Sequence, residues 1–152
     1  MSKWYRKVTD NIDHVVDAFD YFESEYEIAR NEIPFDGRIE SLAQRISGVV
    51  QHRTAQLYEI EAIMQYLDLQ RTKIMTERIK HYTEHYPRSL SEHAARRYAE
   101  GDKEVIAMSE LRLHMCVVRD KFVSLTKGWE YMHFQLTNVT KLRVAGLEDS
   151  II

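Results

Sequence analysis

Residues 108–139 read MSELRLHMCVVRDKFVSLTKGWEYMHFQLTNV. Within them Met108, Leu111, Met115, Val118, Phe122, Leu125, Trp129, Met132, Leu136 and Val139 follow one another in alternating steps of three and four, and every one is apolar. An α-helix puts such positions on a single stripe. Ten consecutive matches make a heptad seam of the kind that joins long helices. The spacing predicts one long C-terminal helix, stopped at Gly146. Gly128 lies inside it and costs about 1 kcal/mol relative to Ala, which is read as room for a close neighbour beside Trp129.

Working outward, a second long pattern runs from Asp36 to Tyr86. Ile39, Leu42, Ile46, Val49, Ile60, Ile63, Leu67 and Ile74 fit helical spacing, with Leu57 and Met64 beside the stripe. Arg53, Gln56 and Gln70 break it. A helix of that extent spans about 70 Å at 1.5 Å per residue, more than a core of this size needs and suited to a coiled coil or bundle. Before it, Ile12, Val15, Val16, Phe19, Phe22 and Tyr26 predict a helix over Asp10–Asn31, ended by Pro34 and Gly37. Between the two long patterns lies HYTEHYPRSLSEHAARRYAEGD (81–102). Pro87 disfavours helix at Tyr86. Ser89 followed by Glu92 reads as a capping box opening a short helix that Gly101 closes.

Composition agrees with an all-α chain of long amphipathic helices. The 152 residues include only five Gly and two Pro, and 30% are charged. Three segments follow: an acidic N-terminal helix in 1–35, the long helix and corner in 36–100, and a C-terminal oligomerisation helix in 101–152. Cys116 has no second cysteine to pair with and is read as a small buried side chain. No apolar run reaches the roughly 20 residues of a membrane span, and the N-terminus lacks an apolar signal core. The expectation is a cytoplasmic protein without a membrane partner.

The net charge of −3 conceals an asymmetry. From Asp10 to Glu40 ten acidic residues face only Arg30 and Arg38, whereas from Arg71 to Arg97 seven basic residues face Glu77, Glu84 and Glu92. Segment charge decides what a surface attracts. In the basic window Arg71, Lys73, Arg78 and Lys80 suit phosphate contacts, and His81 and Tyr82, with His85 and Tyr86, offer flat faces. That combination fits single-stranded nucleic acid, whose backbone needs a cationic track and whose bases stack on rings. A solvated charged helix face is the plainer alternative.

Enzyme chemistry finds little support. A bundle metal site needs two Glu-x-x-His motifs and further carboxylates, and the chain has one such spacing, Glu130 to His133. Glu77/His81 and Glu110/His114 are one-turn surface pairs. The glycines are isolated, so no phosphate loop forms. No catalytic residue, metal or cofactor is expected.

Arg97-Tyr98, Asp102-Lys103-Glu104, Phe134-Gln135-Leu136-Thr137-Asn138 and the run from Lys141 to Gly146 resemble the phage recombination mediator family known as UvsY. The likeness extends over roughly Asp36 to Gly146, including the long helix with its Tyr-rich end before a proline-bearing corner. It implies a role without catalysis: binding single-stranded DNA and helping a RecA-like recombinase replace the single-strand-binding protein. It also implies ring-like hexamers or heptamers assembled through the C-terminal region, here the seam from Met108 to Val139. The implied setting is the cytoplasm of an infected bacterial host. The family's DNA-binding basic pair falls on Thr76 and Arg78, so its first member is absent, and Lys73 or Lys80 is the nearest substitute. The acidic first helix matches least and is read as a partner-docking surface, a shield against DNA or a solvated flank. The rival readings are a coiled-coil scaffold without DNA binding and a helical-bundle metalloenzyme.

Overall fold

The computed structural model describes residues 3–33, 39–85 and 90–146, apart from the side chains of 39, 40, 43 and 44. In them the chain is all-α, with five helices: α1 (Lys3–Asp10), α2 (His14–Arg30), α3 (Ile39–Glu84), α4 (Glu92–Glu100) and α5 (Lys103–Val144). None is long and apolar enough to cross a membrane among the described residues.

The frame is the antiparallel pair α3 and α5, which make the most extensive contact in the molecule. Arg78 meets Asp102 and Glu104 at one end, Asp68 meets Arg112 further in, and Ile46 packs in one cluster with Trp129 at the other end. Both helices follow their apolar periodicity. The caps of α5 are conventional: Asp102 accepts a hydrogen bond from the Glu104 N–H at 3.0 Å, and Gly146 adopts φ +67° after the last turn, a conformation that favours glycine.

The N-terminal region differs from its expected form. The helix expected over Asp10–Asn31 is α2, and a further helix, α1, precedes it, set off where Asn11 Oδ1 accepts from the Asp13 N–H at 3.1 Å and turns the chain. The extra helix α1 takes its N-terminal support from far along the chain. Glu59 Oε1 accepts from the Trp4 and Tyr5 N–H groups at 2.6 and 3.1 Å, satisfying donors that a helix start leaves open.

These two short helices cover the middle of the α3–α5 pair. Val8, Val15, Ala18 and Phe22 from α1 and α2 join Ile60, Ile63, Met64 and Leu67 from α3 and Met108, Met115, Val118 and Phe122 from α5. Phe22 and Phe122 meet edge to face at 6.3 Å, the arrangement ring quadrupoles prefer. The three segments distinguished in the sequence therefore share one core. A smaller cluster of Ala29, Ile33, Leu42, Ile46 and Trp129 continues it.

The seam expected to meet sister subunits is thus largely matched within the chain. Met108, Met115, Val118, Phe122 and Trp129 are buried against the chain's own helices. Leu111, Leu125, Met132 and Leu136 are half-buried and Val139 is 40% exposed. The reason is length: α2 ends at Arg30, so α5 outruns its cover. Beyond Trp129 the α3–α5 pair is a two-helix arm with Tyr131, Phe134, Leu142 and Val144 exposed.

The break in the α3 stripe also has its cause. Arg53 is 2% exposed and is held by Glu25 and, at 2.8 Å, by Glu32 Oε2. It also donates to Gln56 Oε1 at 2.8 Å, and Gln56 Nε2 donates to Glu25 Oε2 at 2.9 Å. Lys121 Nζ binds Glu23 at 2.6 Å. The acidic helix α2 thereby supplies counterions to α3 and α5.

Three local expectations are corrected. The short corner helix is capped by Ser91, whose hydroxyl accepts from the Ala94 N–H at 3.3 Å; Ser89, Pro34, Gly37 and Pro87 lie outside the described residues. The room expected at Gly128 is there, but no described residue fills it: a Cβ would meet nothing within 4 Å. Cys116 is half-buried, 3.3 Å from Arg119 Nη2, because its position flanks the stripe instead of lying on it.

Candidate nucleic-acid interface

The basic stretch occupies the last four turns of α3, which stand beside α4 and the start of α5. Helical geometry divides it into two stripes. Arg71 and Arg78, seven residues apart, lie on the side that meets α5. Lys73 and Lys80, also seven apart, are exposed, and no carboxylate pairs with either among the described residues. Glu77 and Glu84 follow each lysine by one turn, so this outer stripe alternates in sign.

The inner stripe is engaged. Arg78 Nε lies 3.4 Å from Asp102 Oδ2 and its Nη2 lies 2.5 Å from Glu104 Oε1. The hydrogen bond to Glu104, then the charges of Asp102 and Glu104, raise the guanidinium pKa further above its ordinary value. Asp102 also caps α5 and accepts from Tyr82 Oη at 3.5 Å. One carboxylate thus ties the end of α3 to the start of α5. Arg71 is anchored differently: its Nε donates to Ser109 Oγ at 2.8 Å, a neutral partner.

The aromatic part is similarly divided. Tyr82 is half-buried, with its ring 5.7 Å from that of Tyr98 on α4. His81 is exposed, stacked on His85 at 5.3 Å and 14°, and edge-on to Tyr82 at 5.6 Å. Tyr86 and Arg88 lie outside the described residues. Arg96 and Arg97 are exposed on α4. The structure therefore brings together Arg78, Tyr82, Asp102 and Glu104 as a corner, and leaves Lys73, Lys80 and His81 facing outward.

Two features escaped the sequence reading. Arg112 on α5 stands opposite Arg71, with its Nε 2.5 Å from Asp68 Oδ1, and nothing in a window of 71–97 pointed to it. Glu25 sits beside buried Arg53: burial alone would push its carboxyl up, but hydrogen bonds from Gln56 and Arg53 and the charges of Arg53 and His52 hold it below the usual carboxylate range. Among the described residues no three His, Cys, Asp or Glu side chains are grouped to hold a metal ion.

At the far end of the pair, grooves open on both sides of the arm. One, of about 420 Å³, is lined by Ile46, Val50, Trp129 and His133. The other, of about 360 Å³, is lined by Leu42, Gly128, Tyr131, Met132, Leu136 and Val139. Comparison of the chain with models of protein families, with curated proteins and with solved structures finds no match.

Proposed function

We propose that this protein is a non-enzymatic recombination mediator of the UvsY-like kind, a homo-oligomer that binds single-stranded DNA and helps a RecA-like recombinase displace the single-strand-binding protein. The observation that carries the reading is the division of α3 and α5 into two unlike ends. One end presents exposed Lys73, Lys80, His81, Arg96 and Arg97. The other is an apolar arm on which Met132 and Leu136 are only half-buried and Tyr131, Phe134, Val139 and Leu142 are exposed.

Two packed helices cannot enclose a core, and arms from several copies would complete one as a bundle or barrel. Assembly in turn makes a weak cationic track effective. A lysine stripe alternating with glutamates binds little as one copy, but several copies on one strand raise the effective concentration at each further contact. Counterion release and base stacking then supply an affinity independent of sequence. A strand held on such an assembly is distorted away from the single-strand-binding protein and open to the recombinase.

Fluorescence anisotropy with labelled oligothymidylate tests this. Affinity is expected to fall at least tenfold between about 50 and 200 mM salt. Lys73→Ala with Lys80→Ala is expected to weaken binding without changing the sedimentation coefficient. A flat salt response, or a chain that sediments as a folded single subunit at micromolar concentration, rules the reading out.

The ion pairs of Arg78 favour a second reading. The arginine that aligns with the family's DNA-binding pair is here bound to two carboxylates. A helical scaffold without DNA binding accounts for that directly. It predicts the same assembly and no anisotropy change at any salt concentration.

A further inference from the structure

Two turns along α3 from Arg78, a groove of about 320 Å³ separates α3 from α5, lined by Asp68, Arg71, Ser109, Arg112 and Leu113. Its two guanidinium groups come from opposite helices and are held in unlike ways. Ser109 Oγ donates to the Val105 carbonyl at 2.8 Å and accepts from Arg71 Nε at 2.8 Å. The hydroxyl's proton is committed, so a neutral oxygen orients Arg71, and among the described residues no hydrogen-bonded carboxylate cancels its charge. Arg112 meets Asp68 at 2.5 Å, with side chains 39% and 48% exposed. A guanidinium carries five N–H donors, and one carboxylate oxygen occupies few of them. The groove thus holds two cations against one anion, with Leu113, 60% exposed, on its wall.

A pair of arginine forks across a cleft matches the tetrahedral oxygens of a phosphate diester better than it matches a point anion. An apolar wall beside them accommodates a sugar or base face. We infer that this groove is a seat for one phosphate of a single-stranded nucleic-acid backbone, clasped between Arg71 and Arg112, with Asp68 as its internal competitor. The inference rests on the single-stranded DNA reading and deepens it: the strand leaves the lysine stripe of α3 and crosses onto α5.

The competitor makes the site testable in both directions. Asp68→Asn keeps the shape of the side chain and removes the one negative charge, so affinity for labelled oligothymidylate is expected to rise about two- to fivefold. Arg112→Gln is expected to lower it several-fold and to reduce the salt slope by about 0.7. A gain on Asp68→Asn is not something a loss of folding produces. Wild-type binding with both variants unchanged overturns the phosphate seat while leaving the DNA reading intact. A fall in both overturns it too, since the Asp68–Arg112 pair is then only structural. If the wild-type chain binds no oligothymidylate, the DNA reading fails, and titration with inorganic phosphate decides the groove. Shifts of the Arg71 and Arg112 Nε–H resonances keep it as an anion site, and their absence removes it.

Discussion

The two ends of the α3–α5 pair are built from the same helices and solve opposite problems. At the corner end the helices are joined by charge: Arg78, Tyr82, Asp102 and Glu104 form a linked set, and α4 packs Ala95 and Ala99 alongside. At the arm end the apolar cluster of Leu42, Ile46 and Trp129 joins them, and the stripe that reaches complete burial at Phe122 is 40% exposed by Val139. The difference is the reach of α1 and α2. Where they lie on the pair, the seam closes within one chain; where they stop, it stays open. A heptad stripe therefore serves folding over one half of its length, and over the other it is the surface on which the proposed assembly rests.

The largest break in that comparison is expected at its covered half. Phe122→Ala removes a fully buried ring that meets Phe22 and Tyr26, and is expected to cost about 4 kcal/mol in denaturant unfolding. Leu136→Ala on the arm should cost under about 1 kcal/mol in the single chain, because the site is already half exposed, and should lower the stability of the assembly if the proposed homo-oligomer forms through the arm. If Leu136→Ala destabilises dilute single subunits as much as Phe122→Ala does, the two halves are not distinct.

The next effect belongs to the charged pin that holds α2 on the pair. Arg53→Ala leaves Glu25 and Glu32 partly buried without their arginine, and is expected to cost about 3 kcal/mol. The same pin sets an acid response. Glu25 is held below its ordinary value of 4.5, so its contribution to stability is complete above that pH and is lost as pH falls through the lower native pKa. Urea midpoints measured from pH 6 down to about 3 should therefore drop more steeply in the wild type than in Arg53→Ala. Equal slopes would show that the Glu25–Arg53 contact adds nothing to folding.

Gly128 separates a lone arm from an assembled one. A Cβ there meets nothing within 4 Å among the described residues, so Gly128→Ala should stabilise the single subunit by about 1 kcal/mol. If a second subunit packs closely on that face, the same change should weaken assembly while raising the subunit's melting temperature. A gain in both would remove this face of the arm from the proposed oligomer contact.

How much of this was readable beforehand follows the range of each interaction. The long helices α3 and α5 were legible because periodicity is a property of consecutive residues. Helix α1 was not: its eight residues are too few for a repeating pattern, and its start depends on Glu59. Arg53 and Gln56 read as faults in a stripe because their partners lie far away in the chain, Glu25 on α2 and Glu32 just past its end. The seam stated that an apolar partner existed but not on which chain. The same limit governs the interface. Lys73, Lys80 and His81 were found from local charge and are exposed. The engagement of Arg78 and Tyr82 by α5, and the pairing of Arg71 with Arg112, depend on the antiparallel register, which no local window contains.

The smallest expected effect sharpens the corner itself. Glu104 is the more exposed of the two carboxylates on Arg78, and Asp102 additionally caps α5 and meets Tyr82. Glu104→Gln therefore loosens the arginine without dismantling the corner. If the corner is a lock that also withholds a cation from DNA, this change should raise single-stranded DNA affinity about twofold, the scale of an exposed ion pair, and leave sedimentation unchanged. Asp102→Asn should behave differently, because a weaker cap destabilises the first turn of α5. A lower melting temperature in Glu104→Gln with unchanged DNA affinity would assign Arg78 to structure alone, and the strand would then have to follow the lysine stripe and the groove beside Arg112 instead of the corner.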